Sequence, residues 1–104
     1  MNNVRVSPRA RADLRDALRW YRDRDPSIGH RFLMAINACV DRIASASHRW
    51  PMHSHGARRL LVPRFPYAIY YRELGDEVMV IAIAHTSRHP DAWRAPSDKR
   101  PRED

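Results

Sequence analysis

The pair Asp25-Pro26 is the feature that most restricts how this chain can fold. A proline breaks a helix interior because it lacks a backbone N–H, but the first turn accepts it, and an aspartate before it can cap the helix. Ser7-Pro8 has the same arrangement nearer the N-terminus. The sequence therefore predicts two helices. The first begins at Ser7-Pro8 and frays through residues 22–25, and the second runs from Asp25-Pro26 to about Ala46.

Apolar side chains recur at helical spacing in both segments, which indicates two amphipathic helices. Because the link between them is short, they should pack as an antiparallel hairpin. The first apolar stripe consists of Ala10, Leu14, Ala17, Leu18 and Tyr21. The second consists of Ile28, Phe32, Ile36, Val40 and Ile43.

After the second helix and a loop, the pattern changes to the alternation and the β-branched and aromatic content that are typical of strands. Strands are predicted at residues 60–62, 67–72 and 78–84, with a tight turn at 74–77. Residues 4–6 form another short strand before the first helix. The predicted fold is α+β in the order β-α-α-β-β-β: an N-terminal strand and an antiparallel two-helix hairpin packed on a three- to four-stranded antiparallel sheet.

Two strands carry further information about this sheet. The last strand, 78–84, has apolar residues at both its odd and its even positions, so it should be central or covered on both faces. In the strand before it, side chains alternate between two faces, and either set is a candidate for the core. One set is Tyr67, Ile69 and Tyr71, and the other is Ala68, Tyr70 and Arg72.

Length and composition limit the class of protein. The 104 residues fit one domain, predicted to span residues 1–95, with a polar tail at 96–104. No apolar run approaches the roughly 20 residues of a membrane-spanning helix, and the first residues lack a signal-peptide core. The single cysteine, Cys39, excludes an internal disulfide, and its apolar surroundings indicate a small buried hydrophobe. We therefore expect a cytoplasmic protein with no membrane partner.

The charge of the chain points to an anionic partner. The chain has 19 basic and 12 acidic residues, a formal net charge of +7, and Lys99 is its only lysine. Arginine forks bind phosphate or carboxylate in bidentate fashion, and a net positive field attracts polyanions. Nucleic acid and an acidic protein both fit this surface.

Three groups of residues, spread over about residues 4–94, occur in a characteristic order. The first is Val6-Ser7-Pro8 with Ala12-Asp13-Leu14 and Trp20-Tyr21. The second is Arg58-Arg59-Leu60 leading into the run FPYAIYYR at 65–72. The third is the strand 80–84 followed by His85, Arg88, Pro90 and Trp93. Together they resemble the RelE/ParE superfamily of type II toxin–antitoxin toxins, and the ParE branch more closely.

The resemblance implies a growth-inhibiting toxin, of a kind linked to plasmid stabilisation, that a cognate antitoxin neutralises. The acidic C-terminal segment of such an antitoxin wraps around the toxin. For this chain we expect it to enter an apolar groove beside the helical hairpin and the sheet edge as an amphipathic helix, with an added strand at the sheet edge as a further mode of binding. The resemblance calls for no cofactor.

Members that resemble RelE cut messenger RNA in the ribosome, and the resemblance suggests residues for that chemistry. A metal-independent endoribonuclease needs an acid, a base and cations at the phosphorane. His85 and Arg88 are the catalytic candidates under this hypothesis, since a histidine titrates near neutrality. The structural alternative is a backbone-bonded histidine and a surface or packing arginine. Candidate binding residues are Arg58, Arg59, Arg64, Arg72 and Trp93.

Members that resemble ParE instead trap DNA gyrase on cleaved DNA. In this chain Ala68 stands where the ribonucleases often have arginine, no lysine precedes Lys99, and no tyrosine follows Tyr71. These departures and the helical hairpin favour gyrase inhibition through binding alone, with the endoribonuclease as the alternative. A non-toxic basic binding module is a third hypothesis, from outside the family.

His48, His53 and His55 invite a metal-site reading, because an HxH pair can supply two zinc ligands. No cysteine or carboxylate lies near enough in the sequence to complete a tetrahedral site. A polar loop without a metal is therefore the prediction for this segment.

Overall fold

A computed structural model of the protein describes residues 3–53 and 55–87. The elements are β1 Asn3–Val6, α1 Pro8–Arg24, α2 Pro26–Ser45, a 3₁₀ helix Ser47–Arg49, β2 Arg58–Leu61, β3 Tyr67–Leu74 and β4 Glu77–His85. The fold is α+β in the predicted order. No helix within these ranges combines the length and the apolar character needed to cross a membrane. The predicted tail at 96–104 lies outside the described residues.

Both helices begin where the serine–proline and aspartate–proline pairs predict. The Ser7 hydroxyl accepts the N–H of Ala10 at 3.0 Å, and the Asp25 carboxylate accepts the N–H of Ser27 at 2.9 Å. α1 continues as regular helix to Arg24, through most of the stretch in which fraying was predicted. The guanidinium of Arg24 lies 3.5 Å from the Trp20 ring centroid and donates to the Trp20 carbonyl at 2.9 Å, which holds the last turn. A cation there also interacts favourably with the helix dipole.

The sheet has the order β1-β4-β3-β2, so the apolar strand β4 is central, as predicted. β2, β3 and β4 pair antiparallel, but β1 pairs with β4 in parallel, which corrects the expectation of a wholly antiparallel sheet. The reason is the connection: β1 reaches the rest of the sheet only through the helical hairpin. Tight turns force antiparallel pairing, whereas such a long crossover permits a parallel one.

Both faces of β3 contribute to a core. Tyr71 pairs with Val80 and Tyr70 with Ala82, so Ile81 is an extra residue that forms a bulge in β4. Ile69 and Tyr71 belong to the main core, on the side of the helices. Ala68 and Tyr70 belong to a second cluster of buried residues on the opposite face. The two predicted sets of alternating side chains are therefore both buried over most of their length.

An aromatic cluster forms one end of the main core. Phe32 of α2 is fully buried, and its ring centroid lies 4.9 Å from that of Tyr21, 5.1 Å from Phe65 and 5.2 Å from Tyr67. The cluster joins both helices to the loop between β2 and β3. Cys39, about two turns of α2 after Phe32, is buried as predicted.

Asp13 links α1 to the open edge of β4. β1 ends at Val6, opposite Val80, so beyond that point the backbone of β4 has no strand on its β1 side. The Asp13 carboxylate accepts the N–H of Ile83 at 3.0 Å and also contacts Arg9 Nε at 3.3 Å. A buried N–H without a partner is costly, so this carboxylate replaces a missing strand.

We expect Asp13→Ala to lower the free energy of unfolding by about 1–3 kcal/mol, because it leaves the Ile83 N–H unsatisfied. Asp13→Asn is the matched control, since its amide oxygen still accepts that N–H, and it should recover most of the stability. Urea denaturation followed by circular dichroism measures both. Equal losses in the two variants would show that the negative charge, rather than the acceptor, is what stabilises the edge.

Candidate functional site

An apolar groove runs between α2 and the loop that joins β2 to β3. Its volume is about 620 Å³. Its apolar lining comes from α2 and from the loop: Ile28, Met34, Ala35, Ala38, Cys39, Pro63 and Phe65. Met34 is 56% exposed, a high value for a large apolar side chain on a helix packed against a sheet. The groove is therefore an apolar surface left open beside the hairpin and near the β2 edge of the sheet.

Three arginines surround this apolar lining. Arg31 and Arg42 extend from α2, and Arg64 comes from the loop on the other side. Arg64 has φ of 70°, in the left-handed region that favours glycine. An arginine held there costs about 1–3 kcal/mol, and such strain is common at binding sites. The groove thus joins an apolar floor to a positively charged rim.

The sheet face away from the helices carries two of the predicted binding arginines. Arg59 of β2 lies opposite Tyr70, and Arg72 of β3 lies on the same face, where it donates to the His55 carbonyl at 2.9 Å. The His53 ring is 5.6 Å from that of Tyr70. Burial and the nearby Arg59 guanidinium lower the pKa of His53 below its ordinary value. This face is an arginine-bordered surface around one tyrosine and several small residues.

His85 occupies the helix-side face at the end of β4. Its ring centroid lies 5.2 Å from that of Tyr67, and its Nδ1 accepts the N–H of Ser87 at 3.1 Å. In the neutral ring the proton therefore resides on Nε2. The arrangement is that of a histidine bonded to nearby backbone.

The structure separates the predicted ribonuclease residues that it describes. His85 points to the helix side of the sheet, whereas Arg59 and Arg72 lie on the opposite side. Arg64 belongs to the groove rim. Arg88 and Trp93 lie outside the described residues. The predicted acid–base histidine, His85, therefore shares no surface with Arg59 and Arg72. The histidine near Arg59 is His53, which the sequence did not indicate as catalytic.

Arg58, one of the predicted binding residues, is held by hydrogen bonds within the fold. Its Nε donates to Glu73 Oε1 at 2.8 Å, and its NH1 donates to the Trp50 carbonyl at 2.7 Å. Ser47 donates to the other oxygen of Glu73 at 2.6 Å, and the Tyr71 hydroxyl donates to the Ser47 carbonyl. Burial raises the pKa of Tyr71 to about 12. The network fixes the 3₁₀ helix and the loop after it against β2 and β3.

Glu73 should make this network sensitive to pH. The Ser47 hydroxyl, followed by Arg58, lowers the pKa of Glu73 below its usual value. A carboxylate with a lowered folded-state pKa adds stability above its unfolded pKa of about 4.3, and that stability is lost as the pH falls through the folded value. Glu73→Gln should therefore unfold at a lower temperature than the parent at pH 7, with the gap closing below about pH 4.

Thermal unfolding between pH 3 and pH 7 measures this gap, and Glu77→Gln is the control. Glu77 is more exposed and contacts Arg5 at 3.4 Å, so its replacement should have little effect at any pH. A Glu73→Gln difference that stays constant over the whole range would contradict the prediction.

Among the groove residues, Arg64 was predicted from the sequence as a binding residue, and the others were not. Arg31, Ala35, Ala38 and Arg42 form a second stripe on α2, at helical spacing beside the core stripe. That spacing indicates a second surface on α2, but the sequence does not show that the β2–β3 loop lies opposite this surface. The histidines His48, His53 and His55 stay without an assigned function. In the part of the chain that the structure describes, no three histidine, cysteine, aspartate or glutamate side chains gather as a metal site would require.

Comparisons with known proteins match this architecture over most of its length. A family model described as "ParE toxin of type II toxin-antitoxin system, parDE" matches residues 4–90. Toxin RelE3 of Caulobacter vibrioides is 32% identical over 88 residues, which are 83% of this chain and 96% of the relative. Toxin RelE1 of the same organism is 32% identical over 84 residues, 79% of this chain and 90% of the relative.

Solved structures agree on the fold. A chain from the chromosomal ParDE TA system from P. aeruginosa superposes with a TM-score of 0.73 at 21% identity, covering 82% of this chain and 96% of that one. Fold and sequence together define a toxin of the RelE/ParE superfamily. Within it, the chain belongs to the family of ParE toxins of type II toxin–antitoxin systems.

Proposed function

We propose that this toxin inhibits growth by binding DNA gyrase and trapping it on cleaved DNA, without chemistry of its own. The observation that carries the proposal is the separation of His85 from Arg59 and Arg72 by the thickness of the sheet. Acid–base catalysis requires the acid or base within hydrogen-bond reach of the reacting group, and the cations must contact the same phosphate. Residues on opposite faces of one sheet do not meet that condition. Binding of a protein target does not require it.

Supercoiling assays with purified gyrase test the proposal directly. Adding the toxin should block supercoiling and accumulate cleaved DNA, while primer extension on cellular messenger RNA should show no new 5′ ends. Intact supercoiling together with new 5′ ends would overturn it. Expression of the toxin alone addresses the hypothesis of a non-toxic binding module, because normal growth would then be the result.

The endoribonuclease is the second candidate, because the two relatives named above are called RelE toxins. We expect His85→Gln to leave growth inhibition unchanged under the gyrase proposal. Loss of a general acid or base from a ribonuclease would lower its rate by about 10²–10⁴-fold. Arg88→Ala is the companion variant: abolished toxicity in a folded protein would favour the ribonuclease. Growth curves and circular dichroism of both variants decide between the two.

We further propose that the groove beside α2 receives the antitoxin, as an acidic amphipathic helix. Its apolar residues would contact Met34, Ala38 and Phe65, and its carboxylates would reach the arginine rim. Arginine–carboxylate pairs around an apolar centre match the usual division of an interface into core and rim. Titration with the co-encoded neighbour should give a complex at micromolar concentration or below.

A further inference from the structure

The outer surface of α1 carries a continuous row of arginines. Arg11, Arg15, Arg19 and Arg22 follow one another at spacings of four, four and three residues, and all four are exposed. Positions three and four apart are neighbours on one face of a helix. At a rise of 1.5 Å per residue, the row is about 16 Å long. We call these four residues the α1 ridge.

Some of the other charges of α1 are engaged elsewhere, whereas the exposed carboxylates Asp16 and Asp23 lie beside the ridge, at helical spacing from Arg19. Arg9 is paired with Asp13, and Arg24 is stacked on Trp20. Asp13 itself is turned inward to the Ile83 N–H. Among the ridge arginines, Arg15 alone has an ion pair with a described residue: it contacts Asp16 at 3.7 Å, and both side chains are more than 60% exposed.

The row is unfavourable for the helix that carries it. Like charges three and four residues apart repel each other and destabilise a helix. The α2 helix packs beside the row without relieving it, since Gly29 approaches the backbone and Cβ of Arg22 rather than its guanidinium. The one ion pair of the row with a described residue is exposed and therefore weak. The row thus presents positive charge to a ligand that supplies the negative charge.

We propose that the α1 ridge binds the phosphodiester backbone of nucleic acid. About five nucleotide steps of one DNA strand, at 3.4 Å each, match the length of the row. Arginines on an exposed helix face can contact phosphate oxygens without reading base edges, so the proposed contact is electrostatic and independent of sequence. The ridge lies on the helical layer, on the other side of the molecule from Arg59 and Arg72. This binding therefore does not depend on whether gyrase is the target.

Fluorescence anisotropy with a labelled 30-base-pair duplex of mixed sequence tests the proposal. The probe should bind with micromolar affinity that weakens with salt. Replacing all four ridge arginines by glutamine should reduce the slope of log K against log salt by about 3.6, which is about 0.9 for each lost phosphate contact. A single-stranded RNA of equal length is the second probe, for which the salt slope is about 0.7 for each phosphate contact. Comparing the affinities for the two probes shows which nucleic acid is preferred.

A control with Arg31, Arg42, Arg49 and Arg64 changed to glutamine removes the same amount of charge from other surfaces and leaves α1 unaltered. It should keep most of the salt slope. An equal loss of salt slope in both variants would show that only net charge matters, and would overturn the proposal. Poly-glutamate that displaces the probe as well as unlabelled duplex does, and that also requires the ridge, would overturn it too. The ridge variant should also melt at the same temperature as the parent or higher, because its like charges are gone.

Discussion

Replacing Ala38 with glutamate is expected to release this toxin from its antitoxin. Ala38 is exposed and lines the groove beside α2. An acidic side chain there would lie against the apolar side of the acidic helix that we propose as the occupant, and close to the carboxylates of that helix. It would also pair with Arg42, one turn along the helix, and withdraw that arginine from the rim. Like charges brought together at an interface cost several kcal/mol, and each 1.4 kcal/mol is a factor of ten, so we expect the Kd to rise on the order of 100-fold.

Asn37→Glu is the matched control for Ala38→Glu. It adds the same charge to the neighbouring residue of the same helix, which is exposed but does not line the groove. Isothermal titration with the antitoxin should show weak binding for Ala38→Glu and parental binding for Asn37→Glu. In cells that co-express the antitoxin, only Ala38→Glu should arrest growth. Equal binding by the two variants would place the antitoxin on another surface.

The parts of the fold that local chemistry determines could be read from the sequence. Ser7-Pro8 and Asp25-Pro26 define the starts of both helices, because capping and the missing proline N–H act within a few residues. The central position of β4 followed from its apolar residues at both parities. The parallel pairing of β1 could not be read in this way. It depends on a crossover, and no local signal distinguishes the two directions for a strand of four residues.

The candidate site was less accessible to sequence reasoning, because it depends on which elements face each other. Arg58 and Arg59 are adjacent in the sequence, yet one is engaged by Glu73 within the core-side network and the other lies on the open sheet face. Alternation along a strand predicts that they separate, but it does not predict which face receives the helices. The groove similarly requires α2 and the β2–β3 loop to meet. Asp13 was noted in the sequence as part of a motif, but the sequence did not show what it does. The structure shows that its carboxylate accepts the Ile83 N–H.

Phe32→Ala is expected to have the largest effect on stability in the chain. Phe32 is fully buried and contacts three aromatic rings from α1, the β2–β3 loop and β3. Truncating a buried phenylalanine costs about 3–5 kcal/mol. That is a large part of the roughly 5–15 kcal/mol that stabilises a domain. The midpoint of thermal unfolding should fall by more than about 10 °C.

Two further variants test whether the loss of stability in Phe32→Ala comes from the cavity that it leaves in the core or from any substitution on α2. Phe32→Leu keeps most of the volume and should cost about 1.5 kcal/mol. Met34→Ala, on the exposed side of the same helix, should stay within about 0.5 kcal/mol of the parent. Because Phe65 contacts Phe32 and also lines the groove, Phe32→Ala should weaken antitoxin binding as well as folding. Antitoxin affinity unchanged in Phe32→Ala, measured at a temperature where it is still folded, would show that the groove is shaped independently of the aromatic cluster.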